Sequence, residues 1–304
     1  MQEIKEIIPP MVTPFDENGD VIESALRADV RFMVEQAGVP GLAVCGSTGE
    51  GHTITTDETR LISAAAVEEC AGRALVITGI IANSTRAAIE RGKAVADLGV
   101  AALQVTPVHY LFRPDDDAML RHFDSISQAT GIPVIIYNVV PWSYLSPDSL
   151  AHILRSADGV IGVKQSASDM KALADLLLHA DAISATKDVR ILSAVDALLY
   201  PSFQLGAHGA IAAILAAVPD VCVELWNAVE RGDQATAKRL HRGLLPLWNA
   251  IDAPNLPANV KAAMKTEGRD GGLPRSPMPP SSPEQIRKIE SALAGLRSPA
   301  ATVG

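Results

Sequence analysis

Short runs of apolar, largely β-branched residues recur along the chain at 7–12 (IIPPMV), 41–45 (GLAVC), 74–80 (ALVITGI), 101–105 (AALQV), 133–137 (PVIIY), 159–163 (GVIGV), 189–193 (VRILS) and 209–214 (GAIAAI). Each precedes a longer segment whose apolar residues fall at helical spacing: 24–36, 57–71, 85–98, 115–129, 147–155, 168–179, 196–205 and 219–230. A run that is apolar at nearly every position suits a strand buried on both faces. A helix after each strand returns the chain to the same end of a parallel sheet. Eight such units favour an α/β fold of the closed (β/α)8 TIM-barrel type over an open doubly wound sheet. The seventh run has the weakest pattern, because Lys187, Asp188 and Arg190 surround it.

Local punctuation agrees with this division. Ser146-Pro147 offers a capping oxygen followed by a residue that needs no N–H donor at the first helical position. Gly38, Gly99 and Gly131 stand where preceding helices should end in a left-handed cap. The acidic run Asp115 to Asp117 follows Pro114 at a helix start, where it complements the helix dipole. After the eighth unit the alternation stops. The remainder reads as helices from 233 to 251, 258 to 266 and 283 to 296, with a Gly/Pro-rich connector at 271–283. The expected organisation is therefore a barrel over residues 1–232 and a C-terminal helical extension over 233–304.

Composition narrows the function classes. With 48% hydrophobic and 20% charged residues the chain can form a core, which excludes a disordered protein. Lys+Arg 26 against Asp+Glu 35 leaves a net charge of −9, the wrong sign for a nucleic-acid binder. Three widely spaced cysteines in apolar contexts, Cys45, Cys70 and Cys222, read as reduced core residues. The N-terminal segment lacks a basic flank and long apolar run, and no later stretch offers a membrane span, so a cytoplasmic protein is expected. Aromatics are only 4% of the chain, which leaves the core to Ala, Val, Ile and Leu and makes the position of each aromatic informative.

Reacting groups in a (β/α)8 barrel sit at the C-terminal ends of the strands. The second run leads into Gly46-Ser47-Thr48-Gly49-Glu50, the fifth ends in Tyr137-Asn138, and the sixth ends in Lys164. Burial would lower the pKa of Lys164 and expose a free amine able to form a Schiff base with a ketone, although a lysine snorkelling from a strand end is the ordinary alternative. Tyr137 would stand on the adjacent strand, where a phenol can move a proton to or from a carbinolamine. The Gly-Ser-Thr-Gly turn offers closely spaced N–H groups and two hydroxyls, an arrangement suited to a carboxylate. The seven histidines show no metal-ligand spacing, and no phosphate or dinucleotide fingerprint is present, so no metal is expected.

The motifs GSTGE (46–50), VTPVHY (105–110), YNV (137–139) and GVKQS (162–166), in this order at these strand ends, resemble those of the dihydrodipicolinate synthase / N-acetylneuraminate lyase family. The similarity extends from PPMVTPFDENGDV near the start to LPANVKAAM near the C-terminus. The resemblance implies a class I pyruvate aldolase that works through a covalent lysine imine without a separate cofactor, commonly assembled as a homotetramer of two tight dimers. It assigns Lys164 as the imine-forming lysine, Tyr137 as general acid/base, and Gly46, Ser47 and Thr48 to the substrate carboxylate. Tyr110 would enter the neighbouring subunit's site and join Ser47 and Tyr137 in a proton relay. Ser166, Trp142, Asp196 and Ala213 would contact the rest of the substrate.

Departures from the family pattern bear on specificity. Where dihydrodipicolinate-forming members carry an arginine shortly after YNV, this chain has Trp142. The positions tied to lysine feedback hold Thr56, Thr59 and Ala87, so lysine inhibition is not expected. Sialic-acid lyases place polar groups against a polyol tail, where this chain offers Asp196, Ala197 and Ala213. The reading is a Schiff-base lyase or aldolase acting on pyruvate or another 2-oxo acid, with an apolar or aromatic aldehyde partner. A 2-oxo acid dehydratase or deaminase using the same lysine, or a dihydrodipicolinate synthase, are the alternatives.

Overall fold

The computed structural model describes residues 3–298; the outer ends of the expected barrel (1–2) and extension (299–304) lie outside the described residues. Eight parallel strands, β1 (Glu6–Ile7), β2 (Gly41–Val44), β3 (Leu75–Ile80), β4 (Ala102–Val105), β5 (Val134–Asn138), β6 (Val160–Gln165), β7 (Arg190–Ser193) and β8 (Gly209–Ala210), lie in the order β1-β8-β7-β6-β5-β4-β3-β2. The ring closes through the segment after β1. Ala43 N–H donates to the Pro9 carbonyl at 2.9 Å, and Met11 N–H donates to the Ala43 carbonyl at 2.8 Å. Pro9 and Pro10 carry no N–H, so the expected strand 7–12 forms a two-residue ladder and one bridge. The fold is the expected (β/α)8 barrel.

Helices α1 (Glu23–Glu35), α2 (Thr56–Cys70), α3 (Thr85–Lys93), α4 (Asp116–Thr130), α5 (Pro147–Ser156), α6 (Met170–Ser184), α7 (Leu199–Gln204), α8 (Ile214–Ala217) and α9 (Pro219–Glu230) cover the strands. The Ser146 hydroxyl accepts from Ser149 N–H at 3.1 Å with Pro147 at the first turn, and Asp115 accepts from Ala118 N–H at 2.7 Å, so both expected caps form. Gly131 ends α4 in the left-handed region at φ 69°. The third helix stops at Lys93 rather than 98, and the chain winds on in tighter turns to Gly99. A three-residue 3-10 turn, Asp196–Leu198, replaces the start of the helix expected at 196–205. The eighth run is strand only at 209–210, and its last residue, Ile214, begins the short α8.

Inside the ring a small core of Ile4, Ile8, Ala43, Leu75, Ile77, Ala102, Ile135, Leu192 and Ile211 fills the lower layers. Alternation along each strand then directs the next inward positions to the upper layers: Gly79 and Gln104 are register partners, as are Tyr137 and Lys164. After α9 the chain adds α10 (Gln234–Ile251), α11 (Leu256–Thr266) and α12 (Pro283–Arg297). Their apolar faces share one buried cluster with α7, α8 and α9. Arg269 reinforces this junction: it donates to Asp29 of α1 at 2.9 Å and to the Ala216 and Ala217 carbonyls of α8 at 2.6 Å each. The two carbonyls satisfy one guanidinium nitrogen, but Arg269 Nε and Asp29 Oδ2 stay buried without partners, so part of the pair's desolvation cost is left uncompensated.

Candidate active site

Lys164 lies within β6, one residue before its end, and is buried. Its Nζ sits 3.8 Å from the centroid of the Tyr137 ring on the paired strand β5. The next residues lock these two strands together. The Asn138 side-chain amide donates to Gln165 Oε1 at 2.9 Å and to the Leu145 carbonyl at 3.0 Å, while its oxygen accepts from Leu145 N–H at 2.9 Å. Both amides are buried, so this pairing fixes the register that places the lysine beside the phenol.

The turn 46–51 follows β2. Cys45 and Glu50 both adopt φ 57°, and Gly51 is required because a Cβ there would fall 1.9 Å from the Cys45 carbonyl oxygen. Glu50 N–H donates to the Ser47 carbonyl at 3.0 Å and Gly51 N–H to the Gly46 carbonyl at 2.9 Å. The N–H groups of Ser47, Thr48 and Gly49 take no part in backbone hydrogen bonds among the described residues. Three successive donors without a backbone acceptor are of the kind that can receive an anion. The Tyr137 hydroxyl donates to Ser47 Oγ at 3.1 Å, which joins the turn to the lysine–tyrosine pair.

Burial dominates the electrostatics. It pushes the Lys164 ammonium down from 10.5 to about 7, against an opposing pull from the Asp196 carboxylate. It pushes Asp196 up to about 7, opposed chiefly by the Ile214 N–H, which donates to Asp196 Oδ1 at 2.7 Å, and by the charge of Lys164. Each of the two charges favours the charged form of the other, against the larger effect of burial. Tyr137 is pushed up to about 12 by burial, with the Ser47 hydrogen bond acting the other way, so it remains a phenol at neutral pH. A neutral amine fraction, a protonated phenol and an anion cradle together suit imine formation with a 2-oxo acid.

The other expected site residues fall into two groups. Ser166 follows β6 with a buried, unpartnered hydroxyl, and Ala213 is buried immediately before the Ile214 N–H that Asp196 accepts. Trp142 and Tyr110 stand outside this buried group. Trp142 is 72% exposed on a 3-10 turn, with its indole N–H donated to the His109 carbonyl at 2.9 Å, and Tyr110 is 65% exposed on the loop after β4. No hydrogen bond links the Tyr110 hydroxyl to Ser47 or Tyr137 within this chain among the described residues. Asp196 stands close enough to Lys164 to act on its charge, a role the sequence reading did not assign to it.

Two buried polar residues were given no site role by the sequence reading. Gln104 and Thr106, on the inward face of β4 and just beyond it, are buried, and neither the Gln104 amide nor the Thr106 hydroxyl has a partner. Gln104 Nε2 lies 3.4 Å from where a Gly46 Cβ would be, so its amide reaches the base of the 46–51 turn. A polar residue in an otherwise aliphatic barrel run, AALQV, was the available signal.

A cavity of about 780 Å3 opens between α10 and α12, but it is lined by residues such as Pro246, Arg287 and Lys288 and by none at a strand end. The candidate site residues gather instead at the barrel mouth. Among the described residues no group of three or more His, Cys, Asp or Glu side chains could hold a metal ion, and no helix is long and apolar enough to cross a membrane.

Comparison with known proteins identifies the family and agrees with the fold. The sequence pattern of the dihydrodipicolinate synthetase family matches residues 3–295. The 4-hydroxy-tetrahydrodipicolinate synthase of Bradyrhizobium diazoefficiens is 34% identical over 291 residues, covering 94% of this chain and 95% of that protein. The crystal structure of dihydrodipicolinate synthase from Aquifex aeolicus superposes with a TM-score of 0.88 at 28% identity, covering 95% of this chain and 97% of that one. N-acetylneuraminate lyase from Mycoplasma synoviae gives a TM-score of 0.83 at 25% identity, with 96% and 97% covered.

Proposed function

This chain belongs to the dihydrodipicolinate synthetase family of Schiff-base lyases, and from that premise we propose that it joins or cleaves a carbon–carbon bond next to pyruvate or a related 2-oxo acid. The observation that carries the reading is the buried Lys164 against the Tyr137 ring, with the Tyr137 hydroxyl bonded to Ser47 at the anion-binding turn. The Lys164 amine adds to the C2 carbonyl, Tyr137 delivers the proton that lets water leave, and the resulting iminium withdraws electrons from the bond beyond C3. In the cleavage direction Tyr137, left as a phenolate by that transfer, takes the proton of the C4 hydroxyl as the C3–C4 bond breaks; the electron pair forms the enamine of pyruvate and C4 departs as the aldehyde. Ser47, Thr48 and the free N–H groups beside Gly46 hold the carboxylate, which fixes C2 against the amine. No metal or separate cofactor enters this scheme.

The decisive experiment is borohydride reduction in the presence of pyruvate, followed by intact-mass and peptide analysis. A stable adduct on Lys164 is expected; a protein left unmodified by pyruvate and by every other 2-oxo acid tried would end the reading. Product analysis then separates the chemistries, since release of ammonia or water with retention of the carbon chain would place the enzyme among 2-oxo acid deaminases or dehydratases.

The aldehyde partner is read from the rim. Trp142 occupies the position at which dihydrodipicolinate-forming relatives present an arginine to a carboxylate, which favours an apolar or aromatic aldehyde here. Asp196, Ala213 and Ser166 bound the far side. Trp142→Arg should shift preference toward carboxylated aldehydes by about tenfold or more, the scale of one charge-assisted hydrogen bond, while leaving the pyruvate adduct intact. Steady-state kinetics with paired aldehydes checks this, and loss of the adduct in the variant would place Trp142 in pyruvate binding instead.

The proposed working form is a cytoplasmic homotetramer, with the barrel over 1–232 and the extension over 233–304. Three free, buried cysteines suit a reducing compartment. Tyr110, Leu111, Phe112 and Trp142 are all strongly exposed on neighbouring loops, an apolar set suited to a partner subunit's site.

A further inference from the structure

Two motif residues have no role in the chemistry above: Glu50, which ends GSTGE, and Lys261 of the LPANVKAAM segment in α11. The fold brings them together across 211 positions of sequence. Glu50 is fully buried, and Lys261 Nζ donates to its Oε1 at 2.7 Å and to the Leu273 carbonyl at 2.6 Å. The second carboxylate oxygen accepts from the Arg275 N–H at 2.8 Å.

The connector that supplies Leu273 and Arg275 is itself anchored. Leu273 N–H donates to the Phe15 carbonyl at 2.8 Å, and the Phe15 ring lies under Lys261 Nζ at 4.8 Å and under the Arg275 guanidinium at 4.1 Å. Arg275 also donates to the Thr53 carbonyl at 2.9 Å, just beyond the turn. From the other side Thr13 Oγ1 donates to the Gly49 carbonyl at 2.7 Å, and a Cβ on Gly49 would lie 2.8 Å from the Met11 carbonyl oxygen. The anion-binding turn is thus held between the segment 11–13 and the C-terminal extension.

Charge gives this contact a functional consequence. Glu50 lies three residues from Ser47, in the same turn that leaves three successive N–H groups without backbone acceptors. A buried carboxylate left unpaired there would repel a substrate carboxylate, and relieving that repulsion would require the turn to open. We propose that Lys261 is a positioning residue of the active site: by pairing with Glu50 it holds the 46–51 turn in shape and cancels its charge, so that the turn can receive the carboxylate of a 2-oxo acid. The proposal rests on the Schiff-base reading and assigns the helical extension a part in substrate binding.

The test compares pyruvate with its neutral methyl ester in borohydride trapping on Lys164, measuring the concentration that half-saturates adduct formation. Wild type, Lys261→Met, Glu50→Gln and the double variant are compared, with thermal unfolding recorded for each. Lys261→Met should weaken pyruvate by at least about tenfold, the scale of one lost charge-assisted contact, and the ester much less. Glu50→Gln leaves an ammonium without its counter-charge, so preference for pyruvate over the ester should rise. The double variant should return the preference close to wild type. Equal changes for both ligands, or a preference unmoved in every variant, would overturn the proposal and leave a purely structural ion pair. If Lys261→Met does not fold, the rise in Glu50→Gln alone decides. Absence of any wild-type adduct removes the Schiff-base reading itself, whereas a wild-type adduct with unchanged variants removes only the positioning role.

Discussion

Replacing Lys164 by methionine is expected to abolish the pyruvate adduct and reduce turnover by at least about a thousandfold, since no other group supplies the covalent step. The same substitution should make the folded protein more stable at pH 7. The sign follows from the direction of the shift. Burial lowers Lys164 from 10.5 to about 7, so between those values the unfolded chain binds the proton more tightly than the folded one. The resulting penalty on the folded state is fully present below pH 7, fades as pH rises and is gone above pH 10.5. Each tenfold change in proton affinity is worth about 1.4 kcal/mol, so a gain on the order of 2–4 kcal/mol remains after Asp196 loses its counter-charge. Denaturant unfolding of the two proteins at pH 7 and pH 10 measures it, with the gain expected to shrink at the higher pH. A destabilised Lys164→Met would mean that the lysine serves packing. In the wild type, trapping with pyruvate should rise as pH passes through about 7, rather than near the ordinary lysine value.

Tyr137→Phe should lower kcat by roughly a hundred- to ten-thousandfold, the usual contribution of a positioned acid/base. Affinity for the oxo acid should change little, because the proposed carboxylate cradle uses the backbone N–H groups of the 46–51 turn with Ser47 and Thr48 rather than Tyr137. Slow formation of the Lys164 adduct should persist, since water can replace the phenol as proton donor at reduced efficiency. Burst kinetics of adduct formation separates this outcome from a packing defect, which would raise KM and lower Tm together. Ser47→Ala should produce a smaller loss in the same direction, because Tyr137 would lose the acceptor that orients its hydroxyl at 3.1 Å.

The barrel was legible because its signals are local. Apolar runs and helical spacing reflect burial that each segment requires regardless of its neighbours, and the caps at Ser146 and Asp115 satisfy donors within four residues. Some segment boundaries differed where the local pattern was interrupted or ambiguous. Pro9 and Pro10 limited the first strand, and the eighth apolar run turned into α8 within six residues. Apolar content alone does not distinguish a buried strand from a buried helix.

At the site, the sequence by itself determined which reactive side chains stand at strand ends: Ser47, Tyr137 and Lys164 occupy positions that the strand–helix alternation sends to the barrel mouth. It also marked Trp142 and Tyr110 as scarce aromatics at the same end. Only the tertiary structure decided which groups act on each other. The Tyr137–Lys164 register, the Asp196 charge felt by Lys164, the Gln104 amide under Gly46, and the Glu50–Lys261 contact all join residues from different strands or from the barrel and its extension. Such pairings depend on ring closure and strand register, which set the distances between segments far apart in sequence. The proton affinities of Lys164 and Asp196 depend further on how much water the finished fold excludes, a quantity that no single segment carries.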